Sequence, residues 1–441
     1  MNKFAERELE ILRRTVDIAE KIQGKTVIDS PEIQQIIQIV EQFLRKTKCI
    51  CYGGTAINNI LPVQDQFYDK SVEIPDYDFY SLTALDHAKK LADIYVAEGF
   101  TEVEAKAGMH HGTYKVFVNF IPVADISQLS KEIFQKMNKE AIHVDGILYS
   151  PPNFLRMGMY LELSRPKGDV SRWEKVLKRL ILLNKNYPLG IKQCDSSDLQ
   201  RGFNKKLDTM DDLYYVTLNA FTSMGLIFFG SYANTLYSKY MPKHLKVKLQ
   251  KFPDFDVLSE NPKQSATILK ERLSSHNYKN ITITKRDGIG EIIAPHYEVK
   301  VGKETVAFIY QPLACHSYNT IYIHGKKIKI ATIDTMLSFY LAFIYSNRPY
   351  YDDNRILCMA HKLFVVQQKN RLKQKGLLKR FSLKCYGEQS TLESMRLEKS
   401  NKYKELEKGS KAFEEWFLKY SPGETTTKKR KKTNKTRKKR K

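Results

Sequence analysis

What this 441-residue sequence lacks narrows its chemistry before any motif is read. Its six cysteines, Cys49, Cys51, Cys194, Cys315, Cys358 and Cys385, form no CxxC pair, and several sit in apolar runs that read as core, so reduced thiols in a reducing compartment are expected. The ten histidines show neither HxxxH nor a Cys/His metal spacing, and His110-His111 has no third ligand nearby, which leaves a loop or surface pair rather than a zinc site. Long apolar runs are missing too. Leu213 to Ser238 carries no charge, but Asn219, Gly225, Ser231 and Asn234 interrupt it, and no membrane span is expected. The start, Met1-Asn2-Lys3-Phe4-Ala5-Glu6-Arg7-Glu8, is charged rather than apolar, so no secretory signal is expected. Acids are in deficit: 49 Asp and Glu against 73 Lys and Arg leave a net charge of +24. Such a balance favours a polyanionic partner such as nucleic acid. Eleven of the cations lie in Lys428 to Lys441, and 24 − 11 = +13 remains without them, so the rest of the chain is basic as well.

What is present centres on Cys49 to Tyr80. An apolar pulse, Cys49-Ile50-Cys51-Tyr52, reads as a strand feeding Gly53-Gly54-Thr55, and 76 − 53 = 23 residues on comes Pro75-Asp76-Tyr77-Asp78. In an extended chain Asp76 and Asp78 point to one face and Tyr77 to the other. Two adjacent carboxylates repel, and a divalent metal with hard oxygen ligands is the usual reason to hold them together. Glycines let backbone N–H groups approach a phosphate, and a helix opening at Thr55 adds positive potential there. The run Val116 to Asp125 reads as a strand delivering a third acid, Asp125, beside the pair.

The chain also repeats itself. Ile227-Phe228-Phe229-Gly230-Ser231-Tyr232-Ala233 matches Ile50 to Ala56, and Phe252-Pro253-Asp254-Phe255-Asp256 matches Ile74 to Asp78. Val306 to Ser317 aligns without a gap on Val116 to Ser127, which puts Cys315 at the position of Asp125 and leaves the second copy short of its third acid. Arg165-Pro166, Asp169 and Arg172 recur as Arg348-Pro349, Asp352 and Arg355, and retention in the incomplete copy makes them structural turns and caps. The expected organisation is an amphipathic N-terminal helix (1–28) packed on something apolar, a first domain (29–183), a linker (184–211), a degenerate repeat (212–366), a basic helical region (367–421) and a disordered basic tail (422–441). Lys175, Lys178 and Arg179 share one face of a helix over Trp173 to Leu183. From Gln367 on, Lys369, Arg371, Lys373, Lys375, Lys379, Arg380 and Lys384 read either as a solvated helix face or as an RNA-backbone track.

Gly53-Gly54-Thr55, Asp76-Tyr77-Asp78 and Asp125 resemble the nucleotidyltransferase superfamily related to DNA polymerase beta. With the incomplete second copy, the chain over roughly Asp29 to Val366 is similar to the poly(A) polymerase catalytic subunits of nucleocytoplasmic large DNA viruses, as in poxviruses, asfarviruses and mimivirus-like giants. The resemblance implies an α/β (α+β) fold of two tandem nucleotidyltransferase-like domains, each a mixed sheet flanked by helices. It implies AMP transfer from ATP to RNA 3′ ends, with Mg²⁺ or Mn²⁺ on Asp76, Asp78 and Asp125 and the triphosphate on Gly53, Gly54 and Thr55. Lys175, Lys178 or Arg179 are candidates to neutralise the phosphates. It also implies a homodimer or a small processivity subunit as partner, and the host cytoplasm or the virion as location, with nuclear import open through the tail. Adenine selectivity comes from the resemblance alone. An enzyme using another NTP or a tRNA substrate, and a non-catalytic RNA-binding scaffold, stay open at this point.

Overall fold

The computed structural model of the chain describes residues 3–190, 194, 210–243 and 254–423. Its elements are α1 (Lys3–Ile28), α2 (Pro31–Thr47), β1 (Ile50–Tyr52), α3 (Gly53–Ile60), β2 (Tyr77–Ser81), α4 (Ala84–Ala97), β3 (Val103–Ala107), β4 (Thr113–Val118), β5 (Ile121–Gln128), α5 (Lys131–Glu140), β6 (Ile142–Val144) and β7 (Ile147–Tyr149). There follow α6 (Pro152–Leu163), α7 (Trp173–Asn186), α8 (Met210–Ser223), β8 (Ile227–Phe229), α9 (Gly230–Tyr237), β9 (Phe255–Leu258), α10 (Pro262–Ser275), β10 (Ile281–Arg286), β11 (His296–Val301), β12 (Glu304–Tyr310), β13 (His316–Ile323) and β14 (Lys326–Ala331). The chain ends with α11 (Ile333–Phe343), α12 (Asp353–Asn370), β15 (Cys385–Tyr386), α13 (Leu392–Glu405), α14 (Lys411–Phe417) and β16 (Lys419–Tyr420). The expected mixed α/β class is what forms.

Two compact units result. One comprises Met1–Pro151 with Leu392–Lys441, the other Pro152–Thr391. By its contacts the stretch 152–183, which the sequence reading gives to the first domain, therefore belongs to the second unit. In the first unit an eight-stranded sheet runs β16-β3-β4-β5-β2-β1-β7-β6, and in the second another runs β10-β11-β12-β9-β8-β14-β13-β15. The repeat is visible in the pairing. β1 lies antiparallel to β2 and parallel to β7, and β2 parallel to β5; β8, β9, β14 and β12 reproduce that pattern.

Several expectations need correction. Val116 to Asp125 is not one strand: the chain turns at Asn119 and Phe120, both with positive φ (49° and 65°), so β4 and β5 form a two-residue hairpin and β5 carries Asp125. The gap-free alignment of the second copy fails for the same reason. Asp78 pairs with Asp125, whereas Asp256 pairs with Phe308, so Phe308 and not Cys315 stands at the third-acid position, 315 − 308 = 7 residues away. Nor are all six cysteines thiols: Cys194–Cys358 and Cys315–Cys385 are disulfides, and only Cys49 and Cys51 are free and buried. Helix α1 forms, but Phe4, Leu12, Val16 and Ile22 on it stay exposed, against the expectation that they are packed. The basic region is not a helix face: past Asn370, where α12 ends, it is irregular up to α13 apart from a short 3₁₀ turn (Gly376–Leu378) and β15.

The cap expectation holds where it can be read, since Asp169 accepts from the backbone N–H of Ser171 and Asp352 from that of Arg355. Leu213 to Ser238 is divided among α8, β8 and α9, and no helix among the described residues is long and apolar enough to cross a membrane. The basic tail, most of the linker and Phe252-Pro253 lie outside the described residues.

Candidate active site

The site is built on the step from β1 into α3. Buried Ile50 and Cys51 fix β1 in the sheet, Tyr52 is extended, and Gly53 turns the chain with φ 74° into the first turn of α3. Two constraints meet at Gly53. A left-handed backbone favours glycine, and a Cβ built there would lie 2.4 Å from Asp78 Oδ2. The first N–H groups of α3, from Gly53, Gly54 and Thr55, have no partner within the helix and add to the positive end of its dipole. The Thr55 hydroxyl is engaged differently from expectation: buried, it donates to the backbone carbonyl of Asp76 at 2.7 Å and so ties α3 to the entry of β2.

The acids come from neighbouring strands. Asp78 stands in register with Tyr52 on one side and with Asp125 on the other, so the three side chains share one sheet face. Asp76 precedes β2 by one residue. Burial and the nearby Asp125 raise its carboxyl above the ordinary range, with Lys115 opposing. Lys115 on β4 is in register with Asp125 and forms an ion pair with it. The Tyr52 hydroxyl lies 2.9 Å from Ser127 Oγ, and burial together with Asp78 lifts its phenol well above the usual range, so it stays protonated.

Sequence reasoning missed Lys115 and Tyr52. The signal for Lys115 was its place in Tyr114-Lys115-Val116, two residues from Phe117 on the face opposite the buried Tyr114 and Val116. Among the described residues, no three His, Cys, Asp or Glu side chains are gathered closely enough to count as a metal cluster. The donor set nevertheless fits a hard divalent cation: the carboxylates are oxygen ligands, and Asp78 and Asp125 stand side by side on adjacent strands. Beside Asp76 and Thr55 a cleft open to solvent is lined by Asn58, Asn59, Tyr68 and Lys70. Asn58 shapes it by accepting from the N–H groups of Phe67 and Tyr68 at 2.8 and 2.9 Å.

The remaining candidates fall on α7 in the second unit. Lys175 and Lys178 are exposed, Lys178 pairing with Glu174 at 2.7 Å, while Arg179 beside them on the helix is buried. The second copy keeps the turn but not the site. Gly230 has φ 67° and would meet Asp256 as Gly53 meets Asp78, yet Asp254 is buried and Phe308 replaces the third acid. Helix α11 covers the corresponding face, with Phe339 packed 5.2 Å from Phe229 between ring centres.

Comparison with known proteins covers the stretch of chain that carries this turn and these acids. Residues 38–169 match the family model described as poly(A) polymerase catalytic subunit. The matched stretch contains Gly53, Asp76, Asp78, Lys115 and Asp125. Two similar relatives are provisionally named poly(A) polymerase catalytic subunits. That of Acanthamoeba polyphaga mimivirus is 30% identical over 181 residues, covering 40% of this chain and 29% of the relative. That of African swine fever virus (isolate Tick/South Africa/Pretoriuskop Pr4/1996) is 31% identical over 199 residues, covering 42% and 39%. The matches thus span about a third of these relatives' own length. The crystal structure of the Megavirus polyadenylate synthase superposes with a TM-score of 0.79 at 18% identity, over 99% of this chain and 90% of that one. The fold is shared over nearly the whole chain.

Proposed function

We propose that this protein is a polynucleotide adenylyltransferase that adds AMP from ATP to RNA 3′ ends. The observation that carries the reading is the pairing of Asp78 with Asp125 on adjacent parallel strands, with Asp76 just before and the Gly53 turn against Asp78. In the reaction the RNA 3′-oxygen bonds to the α-phosphorus of ATP, the bond to the bridging oxygen of pyrophosphate breaks, and the hydroxyl proton passes to solvent. Asp76, Asp78 and Asp125 would hold Mg²⁺ or Mn²⁺, which when bound supplies activation of the attacking hydroxyl and stabilisation of the leaving oxygen.

The chain's own residues do the rest. The free N–H groups at the start of α3 receive the triphosphate, and Gly53 lets that backbone lie against Asp78. Thr55 fixes the height of α3 relative to Asp76. Lys115 offsets and orients Asp125, and Tyr52, protonated and bonded to Ser127, floors the site without adding charge. The reading takes an RNA 3′ end and ATP as substrates and leaves a second copy or a small subunit as partner, in host cytoplasm or virion.

The test is extension of a labelled RNA primer by purified protein with Mg²⁺ or Mn²⁺ and each NTP in turn. Growth with ATP well above the other three supports the reading. Equal or preferred use of UTP or CTP makes it another nucleotidyltransferase, and no extension with any NTP removes the activity.

A further inference from the structure

The second unit carries a basic and aromatic surface that its covered, incomplete acid site does not explain. Between residues 354 and 387 there is no acid, while Arg355, Lys362, Lys369, Arg371, Lys373, Lys375, Lys379, Arg380 and Lys384 are all cations. Arg380 is spent on the buried Asp334, at 2.8 Å. Lys369, Arg371, Lys373, Lys375, Lys379 and Lys384 are exposed and enter no ion pair among the described residues.

The segment that bears them is fixed in place. Asn319 on β13 donates to the carbonyls of Leu377 and Lys379, Ser382 donates to the carbonyl of Tyr318, the N–H of Tyr318 donates to the carbonyl of Lys384, and Cys385 is bonded to Cys315. It therefore lies along β13. One face of the β13–β14 hairpin alternates rings and cations: Tyr318 and Tyr322 on β13, with Lys329 and Lys327 in register with Thr320 and Tyr322. Lys329 Nζ sits 5.6 Å from the Tyr318 ring and 5.9 Å from that of Tyr386 on β15. Tyr322 is 72% exposed, an unusual outlay of aromatic surface on a strand that otherwise buries Ser317 and Asn319. Glu260 is an acid near Lys329 and Tyr386.

We propose that the β13–β14–β15 ribbon and the segment Lys369–Lys384 form a track for single-stranded RNA, with bases stacking on Tyr322 and Tyr318 and phosphates on the flanking lysines. Single-strand tracks combine these two elements: sequence-tolerant stacking on aromatic rings and a row of cations along the backbone. Substrate class rests on the adenylyltransferase reading, whereas the location of the track rests on the surface alone.

The test is fluorescence-anisotropy binding of a labelled 20-nucleotide single-stranded RNA to full-length protein across a salt series, with primer extension measured in parallel. Tyr322→Ala weakens binding roughly tenfold at every salt concentration, and Tyr322→Phe restores it, because the ring and not the hydroxyl is used. Replacing Lys373, Lys375, Lys379 and Lys384 together by Gln flattens the plot of log K against log salt by about 3, from about 0.7 per lost phosphate contact on a single strand. Extension at saturating primer is unchanged in both variants. Unchanged affinity and slope in both overturn the track and leave the catalytic reading standing. Failure of the wild type to extend RNA, with binding still dependent on Tyr322, overturns the catalytic reading and leaves the track. Equal binding of a duplex RNA, or tighter binding of phosphatidylserine vesicles than of RNA, also overturns it.

Discussion

Replacing Gly53 by Ala tests the link between backbone and acid site most sharply, because the repeat supplies an internal control. At φ 74° an Ala residue pays about 1–2 kcal/mol for the left-handed backbone. Its Cβ also starts 2.4 Å from Asp78 Oδ2, against an ordinary contact of at least 3.4 Å, so the carboxylate must retreat by 3.4 − 2.4 = 1.0 Å. A misplacement of about 1 Å at a reacting centre can cost on the order of 100-fold in rate. Gly230→Ala meets the same conditions in the second unit, with φ 67° and Asp256 Oδ2 at 1.9 Å, where no chemistry is proposed. Both variants should therefore lose about 3–8 °C in the melting of the unit that carries them, and Gly53→Ala alone should lose about 100-fold or more in primer extension. Wild-type extension by a folded Gly53→Ala protein would refute the reasoning. So would an equal loss of activity in Gly230→Ala.

Other outcomes follow from single groups. Asp76 has a raised carboxyl, so its stabilising protonated form is fully present below the unfolded value near 3.9 and is lost as pH rises through the folded one; Asp76→Asn should melt higher than wild type at pH 7 in EDTA, with the gap closing toward pH 4. A lower melting temperature for Asp76→Asn at pH 7 counts against the crowded-acid description. Burial holds His296 and His316 down at about 4 and about 3, so both must stay neutral in the fold. Acidification from pH 7 to 5 should then cost the second unit about 2 kcal/mol for each, and phenylalanine or glutamine replacements should flatten that pH dependence in thermal melts. Thiol titration of denatured, unreduced protein should find two reactive groups, Cys49 and Cys51; six would contradict the disulfide assignment.

How much of this was legible in the sequence depended on whether the signal was local. The Gly53 turn and the Asp169 and Asp352 caps are short-range features, and each could be read from neighbouring residues. The strand break at Asn119-Phe120 was also local but hidden, since an apolar run with a single Asn does not advertise two successive positive-φ residues. That error passed directly into the second copy, where it put Cys315 in the place of Phe308. Long-range facts were out of reach. The disulfide partners lie 164 and 70 residues apart, and the Lys115–Asp125 pair depends on hairpin register. Arg179 was grouped with Lys175 and Lys178 by helical spacing, but burial of one edge of α7 separates them. Nothing in the local sequence of α1 says what covers its apolar residues, and in the fold Phe4, Leu12, Val16 and Ile22 stay exposed.

The central claim is that the acids of the first sheet, and not those of the second, carry the chemistry. Primer extension with RNA, ATP and Mg²⁺ by wild type, Asp78→Asn, Asp125→Asn and Asp256→Asn tests it directly. The account predicts extension lost in Asp78→Asn and Asp125→Asn with the fold intact, and within about threefold of wild type in Asp256→Asn, whose strand partner is Phe308 where Asp78 has Asp125. Extension retained by a folded Asp78→Asn protein, or abolished in Asp256→Asn, would contradict it.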